Sequence, residues 1–423
     1  MINKNIASLK QSSTLLINEK VKELRKKGES INHFGFGQSP FPIHSSIVEE
    51  LKANANNNHY LPVAGLEQLR AQIVSFLFDN QDIDTNKDSV FIGPGSKELL
   101  YQSILIFEGD FLIPKGSWVS YIPQIQSKGG NYYIVETQFK NDFKITPADL
   151  DAFFKTRKTT NQQILILNSP NNPTGAVYKD DEYKALAETC RAHNIIVFSD
   201  EIYSQINFSA PFSPSISKYY PEKTIVFGGL SKVFSAGGYR LGYMVLPNEF
   251  KHLQDVYKSL FSETFSCVSS PVQFAAVKAY EYNTDLQNYV ADSSAILKGV
   301  SEFIYKEFSA INIQCTKSEG AFYMTIGFNN FKAQIAKLGI TTNLELANYV
   351  LENYQFAMLP GIDFGFAKED FFFRIAFVDF NGEQVMKAYQ ENNKIDLEFI
   401  KIHTPNVFAG VKKMKMFVLD FKN

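Results

Sequence analysis

The chain has 423 residues, of which 45% are hydrophobic and 20% are charged, a composition that is ordinary for a globular protein. Its formal net charge of −2 gives no electrostatic reason to expect a nucleic-acid partner or an anionic membrane surface. A chain of this length buries roughly three quarters of its unfolded surface, so a large domain with a smaller one is the expected division.

Short apolar and β-branched runs recur along the first part of the chain, with helix-like stretches between them. Several runs are apolar on both faces, as buried strands of a parallel sheet are. The predicted strands are Val90–Ile92, Phe111–Ile113, Tyr132–Val135, Ile164–Leu167, Ile195–Phe198, Thr224–Phe227 and Leu241–Leu246. The predicted helices among them include Lys97–Phe107 and Lys179–His193. This alternation predicts a wound α/β sheet with functional loops at the carboxyl ends of its strands.

From about Tyr280 the pattern changes to long helical stretches that flank short strands. The predicted elements are helices over Tyr280–Phe308 and Leu344–Tyr354, and strands near Ala321–Gly327 and Phe371–Phe377. We expect a large domain over residues 46–280 and a smaller α+β domain made of residues 1–45 and 281–423. The last stretch, Ile400–Asn423, mixes basic and apolar residues and is assigned no element.

The three cysteines, Cys190, Cys267 and Cys315, are far apart in the chain and form no metal-ligand spacing. Such usage is typical of a reducing compartment. The N-terminus has no apolar signal core, and the apolar runs are too short to cross a bilayer. None of the six histidines lies in a zinc-binding helix pattern. These features predict a cytoplasmic protein without a metal site.

Four segments carry residues suited to cofactor chemistry, and each follows or lies in a predicted strand. They are Asn168-Ser-Pro-Asn-Asn-Pro-Thr-Gly175, Ser199-Asp-Glu-Ile-Tyr203, Gly228-Gly-Leu-Ser-Lys232 with Arg240, and Phe373-Arg-Ile375. In this order they resemble the class I/II aminotransferases, which are fold-type-I pyridoxal-phosphate enzymes. The resemblance extends from about Gly35 to Phe377. It implies a large domain with a mostly parallel central sheet, a smaller α+β domain, pyridoxal 5'-phosphate as cofactor, and a homodimer.

Pyridoxal phosphate requires an amine, a carboxylate at its pyridine nitrogen, donors for its phosphate and a flat partner for its ring. The resemblance implies that Lys232 forms the Schiff base and then moves the proton between substrate Cα and cofactor C4′. It implies that Asp200 keeps the pyridine nitrogen protonated, because a nearby opposite charge favours the charged form. Tyr203 and Asn172 would hydrogen-bond the phenolic oxygen, and Trp118 would stack on the ring.

The cofactor phosphate is expected where Gly95-Ser96-Lys97 opens a helix, because backbone N–H groups and the helix dipole attract anions there. Arg240 would add a charge-assisted hydrogen bond. By resemblance, Tyr60 would reach the phosphate from the neighbouring subunit. Many members of the family have a serine three residues before the lysine, where this chain has Gly229. Ser231 or Ser96 would then supply the missing hydroxyl.

Arg374 interrupts the apolar stretch Phe371-Phe-Phe-Arg-Ile-Ala-Phe377. A buried guanidinium there needs a carboxylate, either from the protein or from a substrate. By resemblance, Arg374 binds the carboxylate of the amino-acid or 2-oxo-acid substrate bidentately. Asn172 and Trp118 would also contact the substrate, and the backbone of Gly37 would close the pocket.

The sequence therefore predicts a dimeric aminotransferase that moves an amino group between an amino acid and a 2-oxo acid by a ping-pong route. A carbon–sulfur β-lyase or another eliminating enzyme of the same fold is an alternative, because the cofactor stabilises a Cα carbanion in each case. A non-catalytic pyridoxal-phosphate sensor is a further alternative. The side chain of the substrate stays open.

Overall fold

The computed structural model describes residues 2–7, 9–157 and 159–420. The strands are β1 (Asn32–His33), β2 (Val90–Gly93), β3 (Asp110–Pro114), β4 (Asn131–Val135), β5 (Gln163–Asn168), β6 (Ile196–Asp200), β7 (Thr224–Gly229), β8 (Gly242–Val245), β9 (Gln314–Cys315), β10 (Tyr323–Gly327), β11 (Phe356–Ala357), β12 (Leu359–Pro360) and β13 (Phe372–Ala376). The helices are α1 (Lys4–Ala7), α2 (Ser13–Lys26), α3 (Ser45–Ala53), α4 (Glu67–Gln81), α5 (Ser96–Ile106), α6 (Tyr121–Lys128), α7 (Pro147–Thr156), α8 (Asp180–Ala192), α9 (Gln254–Ser262), α10 (Ser270–Tyr280), α11 (Thr284–Ser309), α12 (Lys332–Lys337), α13 (Asn343–Tyr354), α14 (Gly382–Asn392), α15 (Leu397–His403) and α16 (Pro405–Asp420).

A seven-stranded sheet with the order β2-β8-β7-β6-β5-β3-β4 forms the centre of the molecule. β8 runs antiparallel to both of its neighbours, and the other pairs are parallel. All seven strands predicted for this part of the chain are present within one or two residues of their bounds. The mostly parallel sheet confirms the predicted fold class.

The two faces of this sheet bury different side chains of the same strands. In β5, Ile164 and Ile166 pack into one apolar cluster, whereas Leu165 and Leu167 pack into another. Successive side chains of a strand point to opposite faces, so both faces must be covered by helices. This double coverage explains why β5 is an unbroken apolar run, and it leaves the strand ends as the place for polar loops.

A second, four-stranded antiparallel sheet has the order β12-β13-β10-β9. Arg374 lies in its strand β13, paired with Thr325 of β10 and Leu359 of β12. The long helix predicted over Tyr280–Phe308 is present but begins four residues later, because α10 ends at Tyr280 and α11 runs from Thr284 to Ser309. Asn283 caps α11 by accepting a hydrogen bond from the Leu286 N–H at 3.0 Å.

The C-terminal stretch that was assigned no element forms α15 and α16, up to Asp420. α16 buries residues at helical spacing, among them Val407, Val411, Met414 and Val418. Its Gly410 lies so close to Phe34 that a Cβ there would be 2.5 Å from the phenylalanine ring. In the sequence, the lysines between the apolar positions make this amphipathic pattern hard to recognise. Residues 421–423 lie outside the described residues.

Every helix among the described residues is too short or too polar to cross a membrane. The described residues also contain no group of three or more histidine, cysteine, aspartate or glutamate side chains placed to hold a metal ion.

Candidate active site

A short loop leads from β2 into α5, and this loop together with the Arg240 guanidinium beside it is called the cradle. Gly95 immediately precedes α5 with a φ of +94°, a backbone conformation that favours glycine. A Cβ at Gly95 would lie 2.7 Å from the Arg240 Nη2 atom. Arg240 is held there by hydrogen bonds to the carbonyls of Gly237 at 2.8 Å and Pro94 at 3.2 Å. The guanidinium of Arg240 therefore lies directly against the Gly95 backbone, an approach that only a residue without a Cβ allows.

Further cations surround this cradle. Ser96 and Lys97 are the first two residues of α5, so their N–H groups belong to its unpaired first turn. The pKa of Lys97 is lowered by partial burial and by the positive charges of Arg240 and Lys232. The approach of these cations to one another, which the nearby carboxylate of Glu98 offsets only in part, favours binding of an external anion.

Lys232 lies in the turn after β7, and its side chain is half-buried. Its amine donates a hydrogen bond to the Gly37 carbonyl at 2.9 Å, and Ser231 beside it is also half-buried. The absence of a serine at position 229 has a steric reason. A Cβ at Gly229 would lie 2.8 Å from the Gly242 Cα of the neighbouring strand, so a side chain there would push β7 and β8 apart.

Asp200 ends β6 and is 4% exposed. Its Oδ2 atom accepts a hydrogen bond from the Tyr121 hydroxyl at 2.7 Å. Burial raises the pKa of Asp200 to about 6, although hydrogen bonds from Tyr121 and the Ile202 N–H and the charge of Lys232 act in the opposite direction. A cation placed beside this carboxyl group would favour its ionised form.

Trp118, just before α6, and Tyr121, its first residue, link the cradle to Asp200 through ring contacts and a hydrogen bond. The Trp118 ring meets the Tyr121 ring edge-on at a centroid distance of 5.3 Å, and the Lys97 Nζ lies 5.3 Å from the Trp118 ring. Tyr121 was not among the predicted site residues, although it lies only three residues after Trp118. A fully buried tyrosine needs a partner for its hydroxyl, and that requirement is the signal that points to it.

The turn after β5 is fixed to the end of β6 by Asn168. Its side chain donates to the Asp200 carbonyl at 2.8 Å and accepts from the Asn172 N–H at 2.7 Å. Asn172 is 3% exposed, and its Oδ1 atom is buried without a hydrogen-bond partner among the described residues. A buried acceptor in this state is costly unless a ligand supplies a donor.

Arg374 is 1% exposed, and its guanidinium lies 4.8 Å from the Tyr323 ring. It donates to the Gly35 carbonyl, while its Nε atom has no partner among the described residues. No carboxylate of the described residues lies within salt-bridge distance of Arg374. Among the described residues the Asp363 carboxyl group acts on Arg374 only through space and not as an ion pair, so a ligand carboxylate fits this place.

Tyrosines connect this arginine to the lysine. The Tyr203 hydroxyl lies 3.0 Å from the Tyr323 hydroxyl, which is 3.3 Å from the Gly37 carbonyl that also accepts from Lys232. Tyr203 was expected here, whereas Tyr323 was not among the predicted site residues. Tyr60 is apart from this group, because it is 89% exposed and makes no hydrogen bond or ring contact with the described residues.

A family model described as aminotransferase class I and II matches residues 30–390. The chain belongs to this family. The aspartate aminotransferase of Geobacillus stearothermophilus is 34% identical over 371 residues, which cover 86% of this chain and 91% of that protein. The aspartate aminotransferase of Bacillus subtilis (strain 168) is 30% identical over 373 residues, which cover 86% of this chain and 91% of that protein.

The same fold occurs in the solved structure of the aspartate aminotransferase from Thermus thermophilus with maleate. That structure aligns with a TM-score of 0.83 at 21% identity and covers 98% of this chain and 99% of its own. As a class I and II aminotransferase, the chain is a pyridoxal-phosphate-dependent transaminase. The predicted family, cofactor and reaction class are thereby confirmed, and both relatives named here are transaminases rather than eliminating enzymes.

The geometry of this class I and II aminotransferase fits its cofactor. The cradle at Gly95 combines the first N–H groups of α5 with the positive charge of Arg240, as a phosphate requires, and Asp200 offers a buried carboxyl group that Tyr121 and Trp118 link to it. The unpartnered Oδ1 of Asn172 lies in the turn beside Asp200. These are the donors, the carboxylate and the flat partner that the cofactor requires.

Proposed function

We propose that this aminotransferase takes the amino group from a dicarboxylic amino acid, with aspartate as the first candidate. One observation supports an amino-acid site between Lys232 and Arg374, because the amine binds the Gly37 carbonyl and the guanidinium binds the Gly35 carbonyl of the same short segment. An amine for the cofactor and a clamp for a substrate carboxylate thus lie side by side. The relatives named above, which are aspartate aminotransferases, support aspartate as the donor.

When bound, pyridoxal phosphate supplies an aldehyde carbon and an electron-withdrawing ring. We propose that Lys232 bonds covalently to the cofactor, and that its amine, once displaced by substrate, moves the proton at the substrate Cα. Asp200 keeps the ring nitrogen protonated, as an ionised carboxylate beside a cation does. Tyr203 and Asn172 bind the phenolic oxygen, and Trp118 covers the ring.

The cradle residues would hold the cofactor phosphate through N–H groups and charge. In this proposal Gly95, Ser96 and Lys97 use the first turn of α5, and Arg240 adds a charge-assisted hydrogen bond of about 1.5–3 kcal/mol. Ser231 adds a hydroxyl from the lysine turn. Tyr60, which is exposed in the single chain, would complete the phosphate site of the neighbouring subunit in a homodimer.

Arg374 would bind the α-carboxylate of the substrate, with Asn172, Trp118 and the Gly37 backbone around it. A second carboxylate on the substrate would face the start of α2. There Ser13 hydrogen-bonds Asp363, whose carboxyl group lies in the field of Arg374 and Lys10. The Thr14 Oγ1 atom is buried without a hydrogen-bond partner among the described residues. Lys10 and the positive end of α2 favour a second negative charge, and burial raises the pKa of Asp363, so that this carboxyl group is easier to protonate when a substrate carboxylate approaches.

We also propose that the molecule consists of a large domain over residues 46–280 and a smaller domain over 1–45 and 281–423. The membership of the two sheets supports this division, since β2 to β8 all lie within the larger part and β9, β10, β12 and β13 within the smaller. The cytoplasmic location expected from cysteine usage stays a prediction.

The experiment compares wild-type protein with Lys232→Ala, and with Lys184→Ala as the matched control on an exposed face of α8. We expect wild type and control to transfer the amino group of aspartate to a 2-oxo acid and to form a borohydride-stable cofactor adduct. We expect Lys232→Ala to do neither, because it lacks the amine. A wild type that forms no adduct at saturating cofactor would overturn the assignment of Lys232. A wild type that forms the adduct and prefers an uncharged donor would overturn the dicarboxylic substrate.

A further inference from the structure

Three hydroxyl groups form a continuous chain beside Lys232. The Ser39 Oγ lies 2.6 Å from the Ser235 Oγ, which lies 2.8 Å from the Tyr289 hydroxyl. The Tyr289 hydroxyl in turn lies 2.7 Å from the Pro42 carbonyl oxygen. The members come from three distant parts of the sequence: the segment after β1, the turn after β7, and helix α11.

The direction of this chain follows from its last member. A carbonyl oxygen only accepts, so the single hydroxyl proton of Tyr289 goes to Pro42. The Tyr289 oxygen must then accept from Ser235, and the Ser235 oxygen must accept from Ser39. Ser235 is therefore both acceptor and donor, and loss of its hydroxyl breaks two hydrogen bonds at once.

The backbone conformation of Ser235 indicates that the hydroxyl group is needed at this position. Ser235 has a φ of +57°, a conformation that glycine adopts at lower cost than serine. Its N–H points to the Lys232 carbonyl at 3.4 Å, so this strained residue closes the turn that carries the lysine. The two hydroxyl contacts give a reason for a serine at this position.

The segment that the chain fixes is the one that serves the candidate site. The Gly35 carbonyl accepts from Arg374, and the Gly37 carbonyl accepts from Lys232. Ser39 follows Gly37 by two residues, and Pro42 follows by five. The hydroxyl chain thus attaches the far end of this segment both to the lysine turn and to α11.

We propose that Ser39, Ser235 and Tyr289 are positioning residues that hold segment 35–42 over Lys232, so that the substrate carboxylate meets a preformed site at Arg374. The inference rests on the proposed roles of Lys232 and Arg374. A looser segment must be ordered by each substrate molecule that binds, and this ordering weakens binding more than it slows the chemical step. The hydroxyl chain itself touches no reacting atom.

The test uses Ser235→Ala in the cofactor-loaded enzyme, because alanine keeps the Cβ and removes only the hydroxyl. We expect the KM for the amino donor to rise about tenfold while kcat changes less than about threefold, since two hydrogen bonds of ordinary strength are lost. Hydrogen exchange in peptides that cover residues 34–43 is expected to become about tenfold faster. The visible absorption band of the bound cofactor is expected to stay unchanged.

Tyr257→Phe is the matched control. Tyr257 is a buried tyrosine whose hydroxyl donates to the Ser103 hydroxyl at 2.9 Å, far from this segment. We expect it to leave both the KM and the exchange of residues 34–43 unchanged. Ser39→Ala removes the first donor of the chain without touching the Ser235 backbone, and it serves if Ser235→Ala does not fold. The double variant Ser39→Ala/Ser235→Ala is expected to match Ser235→Ala, because both act on one chain.

A Ser235→Ala enzyme with wild-type KM would overturn the positioning role, whether or not its exchange is faster. A KM that rises while exchange at residues 34–43 stays unchanged would also overturn it. Failure of the proposed function has a different signature, namely a wild-type protein without turnover of any amino donor.

Discussion

Two neighbouring carboxyl groups at the end of β6 have opposite surroundings. Glu201 accepts hydrogen bonds from the hydroxyls of Ser199 at 2.7 Å and Ser215 at 2.6 Å, and from the Gln81 amide at 3.0 Å. Asp200 accepts one short hydrogen bond, from Tyr121 at 2.7 Å, and a long one from a backbone N–H at 3.4 Å. Burial raises the pKa of Asp200 to about 6 and that of Glu201 to about 7.

The difference teaches how to separate a structural carboxyl group from a functional one when both are buried. Glu201 has three neutral donors that join α4, β6 and a loop, so its partners already lie within the fold. Asp200 has only one short hydrogen bond for its two oxygens, and this carboxyl group is useful in its ionised form only if a cation is bound beside it. A shifted pKa alone would not distinguish them, since both shifts have burial as their main cause.

The strongest test of this contrast is the same chemical change at both positions. We expect Asp200→Asn to lower kcat/KM by about a thousandfold, because an amide cannot neutralise a protonated ring and the loss of a buried charge partner costs about 3–5 kcal/mol. We expect Glu201→Gln to lower it less than about threefold. Steady-state kinetics at saturating cofactor measures both. Equal losses in the two variants would contradict the contrast.

In a stability measurement we expect the opposite order, with the change at Glu201 lowering the free energy of unfolding more than the change at Asp200. We expect Glu201→Ala to lower the free energy of unfolding by about 3 kcal/mol, because Gln81, Ser199 and Ser215 are left as buried groups without their acceptor. Asp200→Asn is expected to stabilise the cofactor-free protein or leave it unchanged at pH 7. The pKa of Asp200 is raised above its ordinary value, so ionisation of the folded protein through about pH 6 costs stability that an amide does not lose. Urea unfolding of cofactor-free protein at pH 7 compares the variants.

The same comparison shows which site residues can be predicted from the sequence and which require the folded structure. The positions of Lys232, Asp200 and Arg374 in or shortly after strands could be predicted from the apolar pattern, whereas their roles come from the family resemblance and stay predictions. Tyr121 was not predictable, because its bond to Asp200 joins positions 79 residues apart through the packing of α6 against the sheet. The bond between Ser235 and Tyr289 is of the same kind, as it depends on where α11 passes the lysine turn.

The limits of pattern reading also appear in the helices. α16 has apolar residues at helical spacing, but its lysines and its place after the last recognised element concealed it. The start of the long helix was predicted four residues early, at Tyr280, because the boundary is set by the Asn283 cap rather than by the apolar pattern. Local patterns thus predicted most elements of the sheet, whereas caps and distant contacts required the folded chain.

The smallest expected effect concerns the one short hydrogen bond that Asp200 does have. Tyr121→Phe removes a hydroxyl that lowers the pKa of Asp200, so the carboxyl group of the variant is harder to ionise and holds a cation less well. We expect the affinity for pyridoxal phosphate to fall about tenfold, as loss of one hydrogen bond to a charged group costs about 1.5–3 kcal/mol. Titration of cofactor-free protein, followed by the visible band of the bound form, measures this affinity, with Tyr257→Phe as the control. If Tyr121→Phe binds cofactor like wild type, the Tyr121 hydroxyl only fills the acceptor of a buried group, as Ser215 does for Glu201. Asp200 would then differ from its neighbour by its place at the strand end rather than by its hydrogen bonds.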